Sequence, residues 1–184
     1  VRKSLLSLLS ACALASALSP TVVNAYINTE EDLLTGKSNS TLFIYSTNSV
    51  GNSIGQPEPA TILVRCKAGK LQDIYISTPT YNADNTRVKI RWDDGEVKSR
   101  RWDKASGGTA LFAPRAVEFF KKMTTHNRLV WAWSPYQKTE SVVAFDLASK
   151  RDEINEMVNL CGVTFKADKP KRSSKPTKSS ARLF

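Results

Sequence analysis

Two kinds of side chain in this 184-residue chain sit close enough in sequence to suggest acid–base chemistry. Asp93, Asp94 and Glu96 crowd one short segment, and His126 is the only histidine. Carboxylates beside an imidazole can move protons or hold a metal. Asp94-Gly95, however, is the dipeptide favoured in a two-residue hairpin turn, so turn geometry already explains these acids. His126 falls in Thr124–Asn127, which reads as a loop. No Gly-x-Ser-x-Gly elbow surrounds a serine, and no glycine loop has phosphate-cradling spacing. The expectation is a binding protein that is not an enzyme, with no cofactor and no metal.

The cysteines carry redox information. Cys66 and Cys161 lie in the body of the chain, and Cys12 lies in an apolar leader. Two cysteines and one histidine are too few for a zinc site, so a disulfide between Cys66 and Cys161 is expected. It would close a loop of about 95 residues, worth about 4–5 kcal/mol on loop-closure entropy alone. Such bridges belong to oxidising compartments.

The leader agrees. Arg2 and Lys3 precede the apolar run Leu5–Leu18, Ser19-Pro20 breaks it, and Val23-Asn24-Ala25 offers small residues where a signal peptidase cuts. Residues 1–25 therefore read as a secretory signal, which places the mature protein in the periplasm. A membrane anchor would need about 20 predominantly apolar residues, more than this run supplies. A second reading takes Leu9-Ser10-Ala11-Cys12 as a lipobox and Cys12 as a lipidated N-terminus.

The formal charge of +10 suggests nucleic acid until it is divided along the chain. Arg2 and Lys3 carry two positive charges and residues 166–184 a net six, which leaves +2 for residues 26–165. The globular part, 26–165, is thus near neutral, and no nucleic-acid partner is implied. The segment 166–184 is rich in Lys, Ser and Pro and reads as a basic disordered tail that could touch an anionic membrane surface.

One basic cluster remains. With Asp94-Gly95 as the turn, Trp92 would face Val97, Arg91 would face Lys98, and Lys89 would face Arg100. Arg87, Lys89, Arg91, Lys98 and Arg100 would then share one sheet face, with Trp102 near Arg87. Like charges opposite one another are unfavourable. An anionic partner (lipid phosphate, glycan or an acidic protein surface) would offset that cost, and so would acids on a neighbouring strand.

The elements that position these residues follow from periodicity. Thr29-Glu30-Glu31-Asp32 has capping-box spacing and predicts a short helix through Leu34. Thr41–Ser46 reads as a strand and Asn48–Pro59 as a loop. Ala60–Cys66 alternates, turning at Lys67–Lys70 into Leu71–Ser77. Arg87–Trp92 pairs with Glu96–Trp102, and Thr109–Ala113 adds a short strand. Pro114 opens a helix with Ala116, Phe119, Phe120 and Met123 on one face. Arg128–Trp133 and Ser141–Leu147 are further strands. Ser149 with Asp152 caps a last helix whose stripe is Ile154, Met157, Val158 and Cys161. The fold class is α+β: a sandwich-like antiparallel assembly of about seven or eight strands with two packed helices.

The order of these motifs resembles the VasI/TagO family of periplasmic proteins associated with type VI secretion. Leu63-Val64-Arg65-Cys66, Val88–Asp93 (VKIRWD), Trp102 with Ser106–Phe112 (SGGTALF), Phe119-Phe120, Leu129–Trp133 and Ala144–Leu147 (AFDL) precede a helix finishing at Cys161. The resemblance covers about residues 60–162. It implies a non-catalytic accessory protein with a protein partner in the cell envelope. The alternative is a periplasmic lysozyme inhibitor or another envelope-binding protein, phage-borne forms included.

Overall fold

The computed structural model describes residues 25–84 and 86–165. The segments read as an export signal and as a basic tail lie outside the described residues, apart from Ala25. Ten antiparallel strands form two sheets, and two helices pack against them. The α+β expectation holds, with more strands than the seven or eight read from the sequence.

The six-stranded sheet begins with β1 (Ala25–Asp32), β2 (Lys37–Gly51), β3 (Pro57–Lys67) and β4 (Lys70–Ser77), paired in sequence order. Period-two alternation puts Leu42, Ile44, Ala60, Ile62, Val64, Cys66, Ile74 and Ile76 into the core, all nearly inaccessible.

The helix expected from Thr29 is instead strand β1. The Asp32 carboxylate accepts from the backbone N–H groups of Leu34 and Thr35, 3.0 and 3.1 Å away, and Gly36 turns the chain at φ +63°. A side chain that can cap a helix can equally close an Asx turn, and here the turn wins because β1 gains a full ladder against β2. Asn48–Pro59 is likewise mostly strand. β2 runs to Gly51 past a register shift between Tyr45 and Ser49, leaving only residues 52–56 unpaired. Pro57 and Pro59 are tolerated because β4 ends opposite Thr61, so this part of β3 has one neighbour.

The second sheet holds β5 (Arg87–Trp92), β6 (Lys98–Arg101), β9 (Arg128–Trp133) and β10 (Ser141–Asp146), in the order β10-β9-β5-β6. Between β6 and β9 the chain crosses to the first sheet. It adds β7 (Asp103–Lys104) and β8 (Ala110–Phe112) beside β4, then forms helix α1 (Ala116–Thr125). Trp102 is the crossing residue and is fully buried.

Helix α2 (Arg151–Leu160) follows a single 3-10 turn, Ala148–Lys150. Its expected cap, Ser149, is not the one used. The Asp146 carboxylate accepts from the Ser149 N–H instead, because β10 ends one turn earlier and leaves that acceptor in place. The stripe itself is as expected: Ile154, Met157 and Cys161 are buried and Val158 partly so. Cys161 is bridged to Cys66, with Cα atoms 5.3 Å apart. One continuous core contains residues from both sheets and both helices.

Candidate functional site

The β5–β6 hairpin does not use a two-residue turn. Asp93 sits in the left-handed region at φ +48°, and its carboxylate reaches away from the hairpin into the segment after α1. It accepts from the backbone N–H groups of Asn127 and Arg128, each at 2.9 Å, and lies 2.7 Å from His126 Nδ1. These partners, the His126 hydrogen bond above all, hold Asp93 below its ordinary carboxylate pKa. With Asp93 held there, the connection runs through Val97, which is exposed rather than opposite Trp92.

The register is therefore slipped by one residue from the expected one. Ile90 pairs with Lys98, Lys89 with Ser99, Val88 with Arg100, and Arg87 with Arg101. Such a slip sends every side chain of one strand to the other face. The six residues expected on one face divide into two sets. Arg87, Lys89 and Arg91 point to the outer face with Ser99 and Arg101. Lys98 and Arg100 join Val88 and Ile90 on the opposite face, the side on which Trp102 lies.

The outer set is partly neutralised. Lys89 Nζ is 2.7 Å from Glu140, the residue just before β10, which lies beyond β9 in the sheet. Arg91 is half-buried, with its Nε buried and unpaired.

The inner set lines a cleft of about 470 Å³ between the hairpin and α1. Its floor is apolar: Ile90, Trp92, Trp102 and Phe119. Both tryptophans meet the Phe119 ring edge-on, at 5.1 and 5.5 Å between centroids. Trp102 backs in turn onto Trp131, and Trp131 stacks on Trp133. The rim is cationic, with Lys98 and Arg100 from β6 and Lys122 from α1. Lys122 Nζ stands 5.7 Å from the Trp92 ring centre, a cation–π distance. Glu118 adds one acid, and Arg115 pairs with it at 3.2 Å. Neither the Lys98 nor the Arg100 side chain has an ion-pair or hydrogen-bond partner among the described residues. The Trp102 Nε1–H is buried without an acceptor.

The α1 contribution to this site was missed in the sequence. Phe119 was assigned to the core face of the helix, and its position at the cleft floor depends on where the helix docks. Lys122 follows it by three residues and lies on the same flank, a signal that becomes readable only once the hairpin is placed.

Chemically, the arrangement suits a group that is anionic at one end and apolar at the other. Three cations attract the charge, and the half-exposed Ile90 and Trp92, backed by the buried Trp102 and Phe119, offer apolar surface for the rest. The Asp93–His126 pair has the geometry of an oriented imidazole, but the Asp93 carboxylate is committed to two backbone N–H groups as well. It pins the hairpin to the end of α1.

No family model matches the chain, and no curated protein matches it. Among solved structures, the chain is similar in fold to invasion associated protein B from Bartonella henselae. The TM-score is 0.50 at 14% identity, over 74% of this chain and 92% of that one. At this identity the likeness concerns the fold. It does not extend to the VasI/TagO family in particular.

Proposed function

We propose that this protein is a non-catalytic accessory of the cell envelope, exported to the periplasm, that binds a partner protein through the cleft between β5–β6 and α1. The observation that carries this reading is the pairing of an aromatic floor with unneutralised cations on the rim. Ile90 and Trp92 are still half-exposed, so an acidic, partly apolar partner would gain by covering them beside the rim cations. The disulfide is compatible with an oxidising compartment. The motif order from Leu63 to Cys161 supports a place beside the type VI secretion apparatus, and the fold likeness to an invasion-associated protein is in keeping with an accessory role.

Crosslinking in the living envelope, with the captured partners identified by mass spectrometry, tests this. The double variant Lys98→Glu/Arg100→Glu reverses the cleft rim, while Lys70→Glu reverses an exposed charge on the six-stranded sheet. Membrane subunits of a secretion apparatus, captured by wild type and Lys70→Glu but lost from the double variant, are the expected result. Capture of a lysozyme, with loss of lysozyme activity on adding the purified protein, would replace the accessory role by inhibition. A capture profile equal in all three proteins would remove the cleft from the account.

A further inference from the structure

The four-stranded sheet has two edges, and they are treated differently. The β10 edge is closed by side chains from the irregular part of β2. Asn48 donates to the Val142 carbonyl and accepts from the Ala144 N–H, at 3.0 and 2.8 Å, and the Thr47 hydroxyl donates to the Ala144 carbonyl. The β6 edge has no such cover. β6 pairs only with β5, and all four of its residues, Lys98 to Arg101, are exposed.

The direction of its free main-chain groups can be worked out. The Trp102 N–H donates to the Thr86 carbonyl on the β5 side. Main-chain groups alternate along an antiparallel strand, so Lys98 and Arg100 also bond toward β5. Ser99 and Arg101 therefore present their N–H and C=O groups outward, away from the sheet. No other hydrogen bond to these groups exists among the described residues.

We propose that β6 is a strand-addition site: an extended, acidic peptide segment of the partner pairs with Ser99 and Arg101 and inserts an apolar side chain into the cleft. This rests on the binding reading above and specifies its mode. Alternating donors and acceptors along an edge are matched by another peptide backbone, and neither a lipid headgroup nor a sugar repeats that pattern. The side chains of an added strand would alternate between the two faces of the sheet. Those on one face fall beside Lys98 and Arg100, over the floor of Ile90, Trp92 and Phe119. Those on the other fall beside Arg101 and Arg87, which pair across the hairpin. Cations flank the edge on both faces, so an acidic segment is favoured. A second copy of β6 is repelled, as charged edge strands generally repel their own kind.

Amide hydrogen exchange of the full chain reads this directly. The probe is a short synthetic peptide of alternating Glu and Val with a central Phe. Its addition is expected to slow exchange at the Ser99 and Arg101 amides and to change the emission of the cleft tryptophans. Ser99→Pro removes one outward N–H without touching the bonds to β5, a substitution edge strands accommodate. It is expected to weaken peptide affinity by about tenfold, as for one lost main-chain hydrogen bond between well-placed partners. Lys98→Glu/Arg100→Glu is expected to weaken it at least as much. If Ser99→Pro binds like wild type while the charge reversal does not, strand addition is overturned and the cleft reading survives. Equal binding by all three proteins overturns both. Phosphatidylglycerol vesicles that bind in place of the peptide, leaving both amides unprotected, also overturn strand addition.

Discussion

On the outer face of the six-stranded sheet, Tyr26, Phe43, Leu63, Tyr75 and Phe112 stand opposite one another in a single row across five strands. Tyr26 stacks on Phe43 at 4.7 Å, and Tyr75 meets Phe112 at 5.2 Å. The cation nearest that row, Arg65, is held by Asp73 through two hydrogen bonds and lies over the Tyr75 ring, whereas Lys67, further along the same face, has no ion pair among the described residues. The four-stranded sheet also places cations on its hairpin, and among the described residues only one of them, Lys89, is answered with an acid. Where a cation is answered from within, the face is finished. Where it is not, as at Lys98 and Arg100, the proposed partner would supply the missing acid.

The closed half can be broken most severely at its bridge. Cys66 lies in β3 and Cys161 ends α2, so the disulfide ties the last helix to the centre of the six-stranded sheet. Cys66→Ser, or reduction of the wild type, is expected to cost about 2–5 kcal/mol. Urea midpoints before and after reduction measure this, and equal midpoints would mean that packing alone holds α2. No single charge change on the β5–β6 hairpin is expected to cost as much, because exposed ion pairs and their absence are each worth about 0–1 kcal/mol.

A smaller effect is expected at the joint between the two halves. Arg151, the first residue of α2, donates to the carbonyls of Met123 and His126, both at 2.7 Å, and to Asn127 Oδ1 at 3.3 Å. These bonds satisfy carbonyls at the end of α1 that have no partner inside the helix. Arg151→Ala is expected to lose about 1–3 kcal/mol, as for hydrogen bonds to a charged group. Arg151→Lys should recover only part of it, since an ammonium cannot span acceptors as the planar guanidinium does. If the two variants unfold alike, the fork is not what holds the joint.

The six-stranded half was the more legible in sequence. Ala60–Cys66 alternates strictly, and its partner follows after a tight turn through Ala68-Gly69, both at positive φ. The disulfide came from counting and from the stripe on α2. What failed there was local. Thr29 and Asp32 have a spacing shared by helix caps and Asx turns, and only pairing with β2 decides between them. In the four-stranded half the elements were legible, but the faces were not. Asp94-Gly95 signals a two-residue turn, whereas Asp93 is recruited by backbone groups more than thirty positions away. No local pattern encodes that contact, and one residue of register decides which cations meet the cleft. The site was thus readable as a set of residues and unreadable as an arrangement.

The smallest expected effect lies at that contact, and it sharpens the comparison because it concerns the pin that sets the open hairpin. His126 and two backbone N–H groups lower the Asp93 pKa from 3.8, so the folded state favours the carboxylate. A group with a depressed folded pKa stabilises fully above its unfolded value and loses that contribution as pH falls through the folded one. Asp93→Asn keeps an amide oxygen for the two backbone donors, which share Oδ1, and tolerates the left-handed conformation, but removes the charge and the oxygen that faces His126. The variant is expected to be less stable than wild type near neutral pH. The gap should begin to close as pH drops below 3.8 and vanish beneath the folded pKa. Urea midpoints across an acid series follow it. A gap that persists well below 3.8 would assign the effect to lost geometry instead of charge. In either case Cys66→Ser supplies the contrast: its cost should not follow Asp93, since the bridge does not titrate.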